Sequence, residues 1–434
     1  MILTNVLLLS YKHTLLMKVF KFGGASVKDA KAVLNVAGIL SKYPDDNLCV
    51  IFSAMGKTTN ALEKVADAWM NNDHSVYELL KVVEEYHIGI ARDLNIETTA
   101  VTTWTDKLKE LVSANPPSNY DEGYDLVVSY GELISTGLIS SFLISRNFTH
   151  TLADARDLII TDDHHRNANI NWEATKSKIS AELYVPDADP SDRVIITQGF
   201  IGRSLQSKPV TLGREGSDFS AAIFAWSLDA EEVIIWKDVP GVLNADPRFF
   251  EDTVKLERMT YRDAIELAYY GASVIHPKTI QPLQSSDIPL FVKSFYHPDE
   301  PGTIIHSHEE ENDTKVPSFI YKADQVLVSI SPKDFSFIAE GNLQSIFGCL
   351  SSLDIHFNMM QHSAISFSIV MDDNPAKIKG LFDALGSEYR IKYNNGLYLI
   401  TIRYYDQETI DKVIGDRTVL LEQKSRTTVQ LVIN

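Results

Sequence analysis

Two different patterns of apolar and polar positions divide the chain. From residue 17 to about residue 295, short runs rich in β-branched and aromatic residues alternate with longer stretches in which apolar residues recur at helical spacing. The runs that we predict as strands are 19–22, 48–53, 125–129, 193–199 and 232–237. This alternation predicts an α/β fold with a mainly parallel central sheet flanked by helices. Ligands bind such sheets beyond the carboxyl ends of the strands, so the residues that follow the runs are candidates for a site.

The pattern changes near residue 305. The segment PDEPG at 298–302 and the polar, acidic run at 306–316 are typical of a boundary and a linker. Beyond them the predicted elements follow the order βαββαβ: strand 326–330, helix 342–353, strands 356–360 and 364–371, helix 375–385 and strand 389–393. A shorter copy is predicted from a strand at 396–404, a helix at 407–414 and a hairpin at 419–433. We therefore predict α+β modules in this region.

These patterns predict several domains, as expected for a chain of 434 residues. The predicted parts are an α/β domain at 17–305, a linker at 306–322, a first module at 323–395 and a second, shortened module at 396–434. Residues 1–16 are predicted to be an extension. Its apolar run has no basic segment before it and no small-residue cleavage site after it, so no secretion signal is expected. The sequence is compatible with a translation start at Met1 and with one at Met17.

Charge and hydropathy narrow the class of protein. The 58 acidic and 40 basic residues give a formal net charge of −18, which argues against a sequence-independent grip on nucleic acid. No stretch of 18 apolar residues occurs, so no membrane span is expected. We predict a cytoplasmic protein with small-molecule ligands.

The segment KFGGASV at 21–27 leaves a predicted strand and leads into a predicted helix. Gly23 and Gly24 would let the backbone approach an anion, while Lys21 and the amides at the helix start supply donors. The segment lacks the GxxxxGK[ST] spacing of a Walker A loop. The alternative is a plain tight turn.

Three further segments combine glycine with charge. In LGREGSDFS at 212–220, Arg214 could hold a carboxylate through two parallel hydrogen bonds; the alternative is that Ser217 and Asp218 only cap the following helix. In the loop at 236–248, Asp238 and Arg248 could anchor a nucleotide, although its Pro-Gly and Asp-Pro pairs are also ordinary turn chemistry. In SYGE at 129–132 the glutamate is either a ligand group or a solvated residue at a helix start.

Taken in order, these segments resemble the aspartate kinase family of the amino-acid kinase fold. The family patterns KFGGTSV, SxGE, GFIG, LGRGGSD, TDVDGVYTADPR and FGAKVLHPR have counterparts at 21–27, 129–132, 199–202, 212–218, 237–248 and 270–278. The resemblance covers residues 17 to about 305. It implies an enzyme that transfers the γ-phosphate of ATP to the side-chain carboxylate of L-aspartate, with Mg²⁺ held mainly by the phosphates and not directly by protein ligands.

The resemblance also implies roles for single residues. Lys21, which we expect on a partly exposed loop, would stabilise the transferring phosphoryl group, and Asp218 would organise that lysine. The amine of the substrate would contact Glu132, and a carboxylate of the substrate would contact Arg214. The other residues that would contact the substrate are Ser53, Thr59, Phe200 and Ser217. The nucleotide would contact Lys21, Gly23, Gly24, Ser26, Lys237, Asp238, Leu243, Arg248, Ser273 and Lys278.

Four positions depart from the family patterns. Lys237 and Leu243 replace a Thr and a Tyr near the nucleotide, Glu215 replaces a Gly beside Arg214, and Ser273 replaces a Lys. Lys278 and Lys237 are candidates to supply the charge missing at position 273. These changes leave the reaction class intact and place the nucleotide affinity in question.

The C-terminal modules resemble the tandem ACT modules of the same family. Residues 357–366 look like its VDxIxTSEVS strand pair, with Asn358 and Ala364 in place of Asp and Glu. Asn358 and Ser363 are the candidate regulatory residues, lysine or threonine is the candidate effector, and a homodimer or higher oligomer is expected through these sheets.

Other functions fit the sequence less well. Glutamate, carbamate and uridylate kinases share the fold but would not be expected to carry the segment at 214–218 together with an ACT-like tail. A fusion to homoserine dehydrogenase is not expected, since no dinucleotide-binding segment follows. A catalytically weak amino-acid sensor is suggested by Lys237, Leu243 and Ser273. The presence of Lys21, Glu132, Arg214 and Asp218 argues against the sensor.

Overall fold

A computed structural model describes residues 17–183, 193–272, 275–308, 315–334 and 336–434. The chain forms two compact units. The first comprises residues up to Val242 with Glu257–Ala264 and Ile275–Glu310, and the second comprises Leu243–Leu256, Ile265–Val274 and Glu311–Asn434. The predicted extension at 1–16 lies outside the described residues.

The first unit is built on a mainly parallel sheet of eight strands. Its order is β3-β5-β2-β1-β8-β10-β11-β9, and a small second sheet has the order β4-β6-β7. The strands are β1 (Met17–Phe22), β2 (Asn47–Phe52), β3 (Thr151–Leu152), β4 (Ile160–Thr161), β5 (Val194–Gln198), β6 (Ile201–Ser204), β7 (Pro209–Thr211), β8 (Glu232–Lys237), β9 (Arg258–Thr260), β10 (Leu290–Ser294) and β11 (Thr303–His306). Among the described strands of the large sheet, β10 and β11 pair antiparallel and the other neighbours pair parallel. The predicted α/β class is confirmed.

Helices cover the faces of this sheet, which explains why its central strands are continuous apolar runs. They are α1 (Ala30–Leu40), α2 (Thr58–Met70), α3 (Val76–Asp93), α4 (Thr99–Ser113), α5 (Tyr120–Val128), α6 (Tyr130–Ser145), α7 (Ala155–Leu158), α8 (Trp172–Leu183), α9 (Gly216–Ser227) and α11 (Pro277–Ser285). Helix α10 (Tyr261–Tyr270) begins in the first unit, and its residues from Ile265 belong to the second. Phe22 stacks on Phe52 and on Trp236, with ring centroids 5.5 and 5.9 Å apart, so neighbouring strands share one aromatic core.

One predicted strand is wrong. Residues 125–129, expected to be extended, belong to α5 and the turn into α6. The side chain of Asn119 accepts a hydrogen bond from the backbone of Asp121 and so caps α5, and Tyr124 and Val127 are buried at helical spacing. The two adjacent valines at 127 and 128 favour a strand locally, but the cap and the buried helix face decide the conformation.

Among the described residues, one helical stretch, Tyr120–Ser145, is long and apolar enough to cross a membrane. Of its most apolar window, 83% is buried inside the protein, which is the burial of a core helix.

The second unit contains an antiparallel sheet of six strands in the order β13-β14-β12-β15-β17-β16. The strands are β12 (Ser318–Pro332), β13 (Phe357–His362), β14 (Phe367–Asp372), β15 (Tyr389–Arg403), β16 (Val419–Lys424) and β17 (Thr428–Ile433), and the helices are α12 (Glu340–Ser352), α13 (Pro375–Leu385) and α14 (Gln407–Ile414). The predicted βαββαβ order is confirmed. The two strands predicted at 389–393 and 396–404 form one long strand, β15.

Each half of this sheet has its own apolar core. Val328, Leu350 and Leu381 belong to the first core, and Ile402 and Leu431 belong to the second. Strand β12 serves both halves, because its start pairs with the end of β15 and its end pairs with the start of β15. The linker predicted at 306–322 therefore already contains the beginning of β12 at Ser318, while the domain boundaries themselves remain predictions.

Candidate active site

The carboxyl ends of four central strands open into a cleft of about 600 Å³ in the first unit. In the sheet register Phe22 aligns with Phe52 and Trp236, and Phe52 aligns with Gln198, so β1, β2, β5 and β8 end at the same level. The loops after these strands line the cleft. This is the location that a parallel sheet predicts for a ligand.

Most of the predicted site residues line this one cleft. They are Lys21, Gly23, Gly24, Ser26, Ser53, Thr59, Glu132, Phe200, Arg214, Ser217, Asp218, Lys237 and Asp238. The structure thus brings together side chains more than 200 positions apart in the chain.

The pair Lys21–Asp218 forms the charged centre of the cleft. Lys21 Nζ lies 2.5 Å from Asp218 Oδ1, and Lys237 Nζ lies 3.8 Å from Asp218 Oδ2. Burial raises the pKa of Asp218, but the two lysines more than offset this effect, and the pKa lies below its usual value. Lys21 is the fifth residue of β1 and only 7% exposed, so the expectation of a partly exposed loop is wrong.

The glycines after β1 allow two loops to touch. A Cβ atom on Gly24 would lie 2.8 Å from the carbonyl oxygen of Ala54 and 2.9 Å from that of Gly56. The backbone of Gly56 also donates a hydrogen bond of 3.0 Å to the carbonyl of Gly24. Residues 24–27 form a 3₁₀ turn within which Ser26 is buried. The segment is therefore more than a plain tight turn: it joins the β1 and β2 loops on one side of the cleft.

Glu132 is a buried carboxyl group with one unsatisfied oxygen. It lies in the first turn of α6 and is 2% exposed, so the alternative of a solvated helix-start residue is wrong. Its Oε1 accepts a hydrogen bond of 3.2 Å from the backbone of Ala54, whereas Oε2 has no hydrogen-bond partner among the described residues. Burial raises the pKa of Glu132 to about 8. Such a group is prepared to receive a cation or a hydrogen-bond donor from a ligand.

The start of α9 supplies further polar groups to the cleft. Its N-cap residue, Glu215, has a left-handed backbone and makes no side-chain cap bond, so Ser217 and Asp218 do not serve as caps. Ser53 Oγ donates to Ser217 Oγ at 2.9 Å. Arg214 is exposed in the cleft and has no hydrogen-bond or ion-pair partner in the described part of the chain.

Two further glycines bring the β5 loop against α9. A Cβ atom on Gly199 would lie 2.6 Å from Cβ of Ser217, and one on Gly216 would lie 2.6 Å from the ring of Phe200. The backbone amide of Phe200 donates to Ser220 Oγ at 2.8 Å. This close packing sets the positions of the Phe200 and Ser217 side chains in the cleft.

Four residues that we predicted to contact the nucleotide do not line the cleft. Leu243 and Arg248 belong to the second unit, where Arg248 pairs with Asp246 at 2.5 Å. Lys278 donates a hydrogen bond to Asn167. Ser273 lies outside the described residues. Of the two lysines considered as substitutes for the charge missing at position 273, Lys237 lines the cleft.

Sequence reasoning assigned no role to the polar side chains of Tyr124, Arg166 and Thr211, which also line the cleft. Tyr124 lies in the helix that was predicted as a strand. Arg166 and Thr211 follow no glycine-rich pattern, and only the polar turn that begins at Asp162 gave a local signal of a loop.

Comparison with known proteins agrees with this geometry. The profile of the Amino acid kinase family matches residues 17–294. Aspartokinase 2, chloroplastic, of Arabidopsis thaliana is 33% identical over 376 residues, covering 83% of this chain and 67% of that protein. The chain belongs to the amino acid kinase family, among its aspartokinases. The resemblance seen in the sequence is confirmed.

Bacterial aspartokinases match over more of their length. Lysine-sensitive aspartokinase 3 of Escherichia coli (strain K12) is 29% identical over 394 residues, covering 88% of this chain and 86% of that protein. By contrast, the chain spans 64% of the length of the Arabidopsis aspartokinases 1 and 3. The crystal structure of E. coli aspartokinase III in complex with lysine and aspartate superposes with a TM-score of 0.79 at 25% identity, covering 96% of this chain and 95% of that one.

In this aspartokinase the two candidate regulatory residues already have partners inside the second unit. The Asn358 side chain accepts a hydrogen bond of 2.7 Å from Lys322 and donates to Gln325 and Asp372 at 2.8 and 2.9 Å. Ser363 Oγ lies 2.7 Å from Ser366 Oγ within the turn between β13 and β14. Their predicted regulatory role remains a prediction.

Proposed function

We propose that this aspartokinase transfers the γ-phosphate of ATP to the β-carboxylate of L-aspartate and forms 4-phospho-L-aspartate, the first step of the lysine, threonine and methionine pathway. The observation that carries the proposal is the buried, unsatisfied Oε2 of Glu132 in the same cleft as Arg214 and the Lys21–Asp218 pair. E. coli aspartokinase III, crystallised with aspartate and ADP, superposes with a TM-score of 0.76 at 25% identity and covers 96% of both chains, which supports the same ligands here.

The acceptor would be held by both of its charged ends. Its ammonium group is the natural partner for the ionised carboxylate of Glu132, and its α-carboxylate fits the exposed guanidinium of Arg214. Ser53 and Ser217, linked by a hydrogen bond, and Thr59 and Phe200 complete the pocket. These contacts would leave the β-carboxylate directed to the lysine side of the cleft.

Phosphoryl transfer to a carboxylate needs positioning and charge neutralisation more than proton transfer. A carboxylate with an ordinary pKa of about 4 is already ionised at neutral pH, so no general base is required. Lys21 would neutralise the charge that develops on the transferring phosphoryl oxygens, and Asp218 holds its ammonium in place. Lys237 contributes a second positive charge at the same aspartate.

The nucleotide phosphates would lie against Gly23, Gly24 and Ser26, with Lys237 and Asp238 beside them. Mg²⁺ would enter with the nucleotide and neutralise part of the charge on its phosphates. No group of three His, Cys, Asp or Glu side chains in the described residues is placed to hold a metal, and the nucleotide oxygens would supply most of its ligands. Nucleotide contacts by Leu243, Arg248, Ser273 and Lys278 are retained as part of the proposal.

The proposal extends to assembly and control. A homodimer through the ACT-like sheet, lysine or threonine as effector and a cytoplasmic location follow the family resemblance. The saturated contacts of Asn358 argue against an effector contact at that residue.

The decisive experiment traps the acyl phosphate with hydroxylamine. Purified protein is incubated with ATP, Mg²⁺ and either L-aspartate or L-glutamate, each with and without lysine and threonine. We expect ATP-dependent hydroxamate from aspartate alone. Hydroxamate from glutamate alone would contradict the substrate assignment, and no product from either amino acid would favour the sensor.

A further inference from the structure

Arg166 is a second guanidinium in the cleft besides Arg214, and neither its sequence pattern nor the family segments single it out. It lines the cleft together with Tyr124 and Glu132. Its guanidinium lies over the ring of Tyr124, 4.3 Å from the centroid, and 3.2 Å from a carboxylate oxygen of Asp121. The side chain is 43% exposed, so this ion pair is weak and can be exchanged for a ligand.

The backbone beneath Arg166 is held by a buried carboxylate. Arg166 has a φ of 62°, a left-handed conformation that L-residues other than Asn and Asp seldom adopt. Its amide donates to Asp125 Oδ2 at 3.0 Å, and His165 Nδ1 lies 2.9 Å from the same oxygen. Asp125 is fully buried. A buried carboxylate with these partners maintains the unusual turn and presents the arginine to the cleft.

The same carboxylate also holds the strand that leads to Arg214. Thr211 Oγ1 donates to Asp125 Oδ1 at 2.6 Å, and Thr211 is the last residue of β7, three positions before Arg214. Asp125 thus connects the loops that carry both cleft arginines. Removing it would change the position of both loops together.

The position of Arg166 selects the group it would bind. Tyr124, on which it stacks, lies on α5, and α5 leads directly into α6, whose first turn carries Glu132. The α-carboxylate of an amino acid is bonded to the carbon that carries the amine. A substrate whose amine contacts Glu132 therefore places its α-carboxylate on the same side of the cleft, away from the phosphoryl-transfer lysines.

We propose that Arg166 is a second guanidinium for the α-carboxylate of the acceptor, shared with Arg214, and that Asp125 is the positioning residue that holds it. A carboxylate accepts about four hydrogen bonds, enough for two guanidinium groups. The inference rests on the proposed function, because it assumes an amino-acid acceptor bound through Glu132. It adds a specificity-determining contact that would reject acceptors without an α-carboxylate.

The test compares Arg166→Ala and Arg166→Lys with two acceptors, L-aspartate and L-aspartate α-amide, whose α-carboxylate is replaced by a neutral amide. The amide is measured as a substrate or, where turnover is too slow, as a competitive inhibitor. We expect Arg166→Ala to raise the KM for aspartate about 10- to 100-fold with kcat and the KM for ATP little changed. Arg166→Lys should recover part of the loss, since it keeps the charge without the planar fork. For the amide, variant and wild type should bind alike.

A matched control is Arg146→Ala, because Arg146 also stacks on an aromatic ring, Phe142, but lies exposed at the end of α6. An unchanged KM for aspartate in Arg166→Ala overturns the proposal. Equal losses for aspartate and for the amide also overturn it, since they would show a structural role. Absence of hydroxamate with the wild-type protein would be a failure of the proposed function, which is a different result.

The positioning role of Asp125 has its own test. Asp125→Asn should raise the KM for aspartate, and its effect should add less than fully to that of Arg166→Ala in the double variant, because part of it acts through Arg166. Fully additive effects in a double variant that unfolds at a normal temperature would remove Asp125 from the proposal. If Asp125→Asn does not fold, Thr211→Val removes one of the carboxylate's bonds and is measured in the same way.

Discussion

The carboxyl group of Glu132 and the amide group of Asn358 lie in two polar clusters, one in the cleft and one in the C-terminal sheet. Glu132 keeps one oxygen without a partner among the described residues, and its pKa is raised to about 8 by burial. Asn358 uses its oxygen for Lys322 and its amide protons for Gln325 and Asp372. The first cluster is incomplete without a ligand, whereas the second is complete by itself.

This difference helps to interpret positions at which the chain departs from the family pattern. Buried polar groups are normally satisfied, so an unsatisfied one that lines a cleft is a candidate for a ligand contact, whereas a satisfied one needs no ligand. In this chain the acceptor site keeps its open groups. At position 358, where the family pattern has Asp, this chain carries Asn, whose side-chain oxygen accepts a hydrogen bond from Lys322.

The largest effect should come from Lys21. We expect Lys21→Met to lower kcat by about 10²- to 10³-fold, because it removes the charge nearest to Asp218. It should also destabilise the protein by about 3–5 kcal/mol, since it leaves the buried Asp218 without its closest partner. The measurements are hydroxamate formation and thermal unfolding.

The double variant Lys21→Met/Asp218→Asn separates these two effects. It should recover much of the stability and none of the activity. Lys42→Ala serves as control, because Lys42 forms an exposed ion pair with Asp299. A normal rate in Lys21→Met would remove Lys21 from catalysis.

A smaller effect is expected on stability at Glu132. The folded-state pKa of Glu132, about 8, lies above the value of 4.5 for a free glutamate. The free energy of unfolding of the wild-type protein therefore falls as pH rises between these two values, because the folded protein must give up a proton that the unfolded protein has already lost. Glu132→Gln removes the titration. Its stability relative to the wild type should therefore increase from pH 5 to pH 9, by up to about a few kcal/mol.

Thermal unfolding of both proteins at a series of pH values measures this difference. The matched control is Glu85→Gln, because Glu85 is an exposed glutamate on α3 that forms an ion pair of 3.6 Å with Lys81. A difference between wild type and Glu132→Gln that does not change with pH would mean that Glu132 is ionised in the free protein.

The smallest effect on activity should come from Asn358. Asn358→Ala leaves Lys322 without its hydrogen-bond partner and removes one of the two hydrogen bonds to Asp372 Oδ1, since Gln325 still donates to that oxygen. It should cost about 1–3 kcal/mol of stability, with the kinase rate and its response to lysine and threonine unchanged. Asn394→Ala, at an exposed position of β15, is the control. Loss of inhibition by lysine or threonine in Asn358→Ala alone would show that Asn358 contacts an effector.

The sequence predicted those parts of the site that depend on local chemistry. The apolar runs of β1, β2, β5 and β8 are buried on both faces, so they read as strands, and the glycines that follow them mark the loops of the cleft. The burial of Glu132 could not be predicted, because the loop of Ala54 that covers it lies 78 positions away.

Arg166 was missed for the same reason. Its turn is maintained by Asp125, 41 positions earlier in the chain, and that residue lies in a segment predicted as a strand. The two long-range contacts that complete the acceptor side of the cleft are therefore tertiary, and neither leaves a local pattern in the sequence.

Proton release on aspartate binding tests the account most directly. Calorimetric titration of L-aspartate into the wild-type protein, in two buffers of different ionisation enthalpy, counts the protons exchanged. Glu132 has a pKa of about 8 in the free protein and must be ionised to hold an ammonium group, so we predict release of about one proton per aspartate at pH 7 and almost none at pH 9. Aspartate binding at pH 7 without proton release would contradict the central claim that Glu132 is neutral in the free cleft and ionises to receive the amine of the substrate.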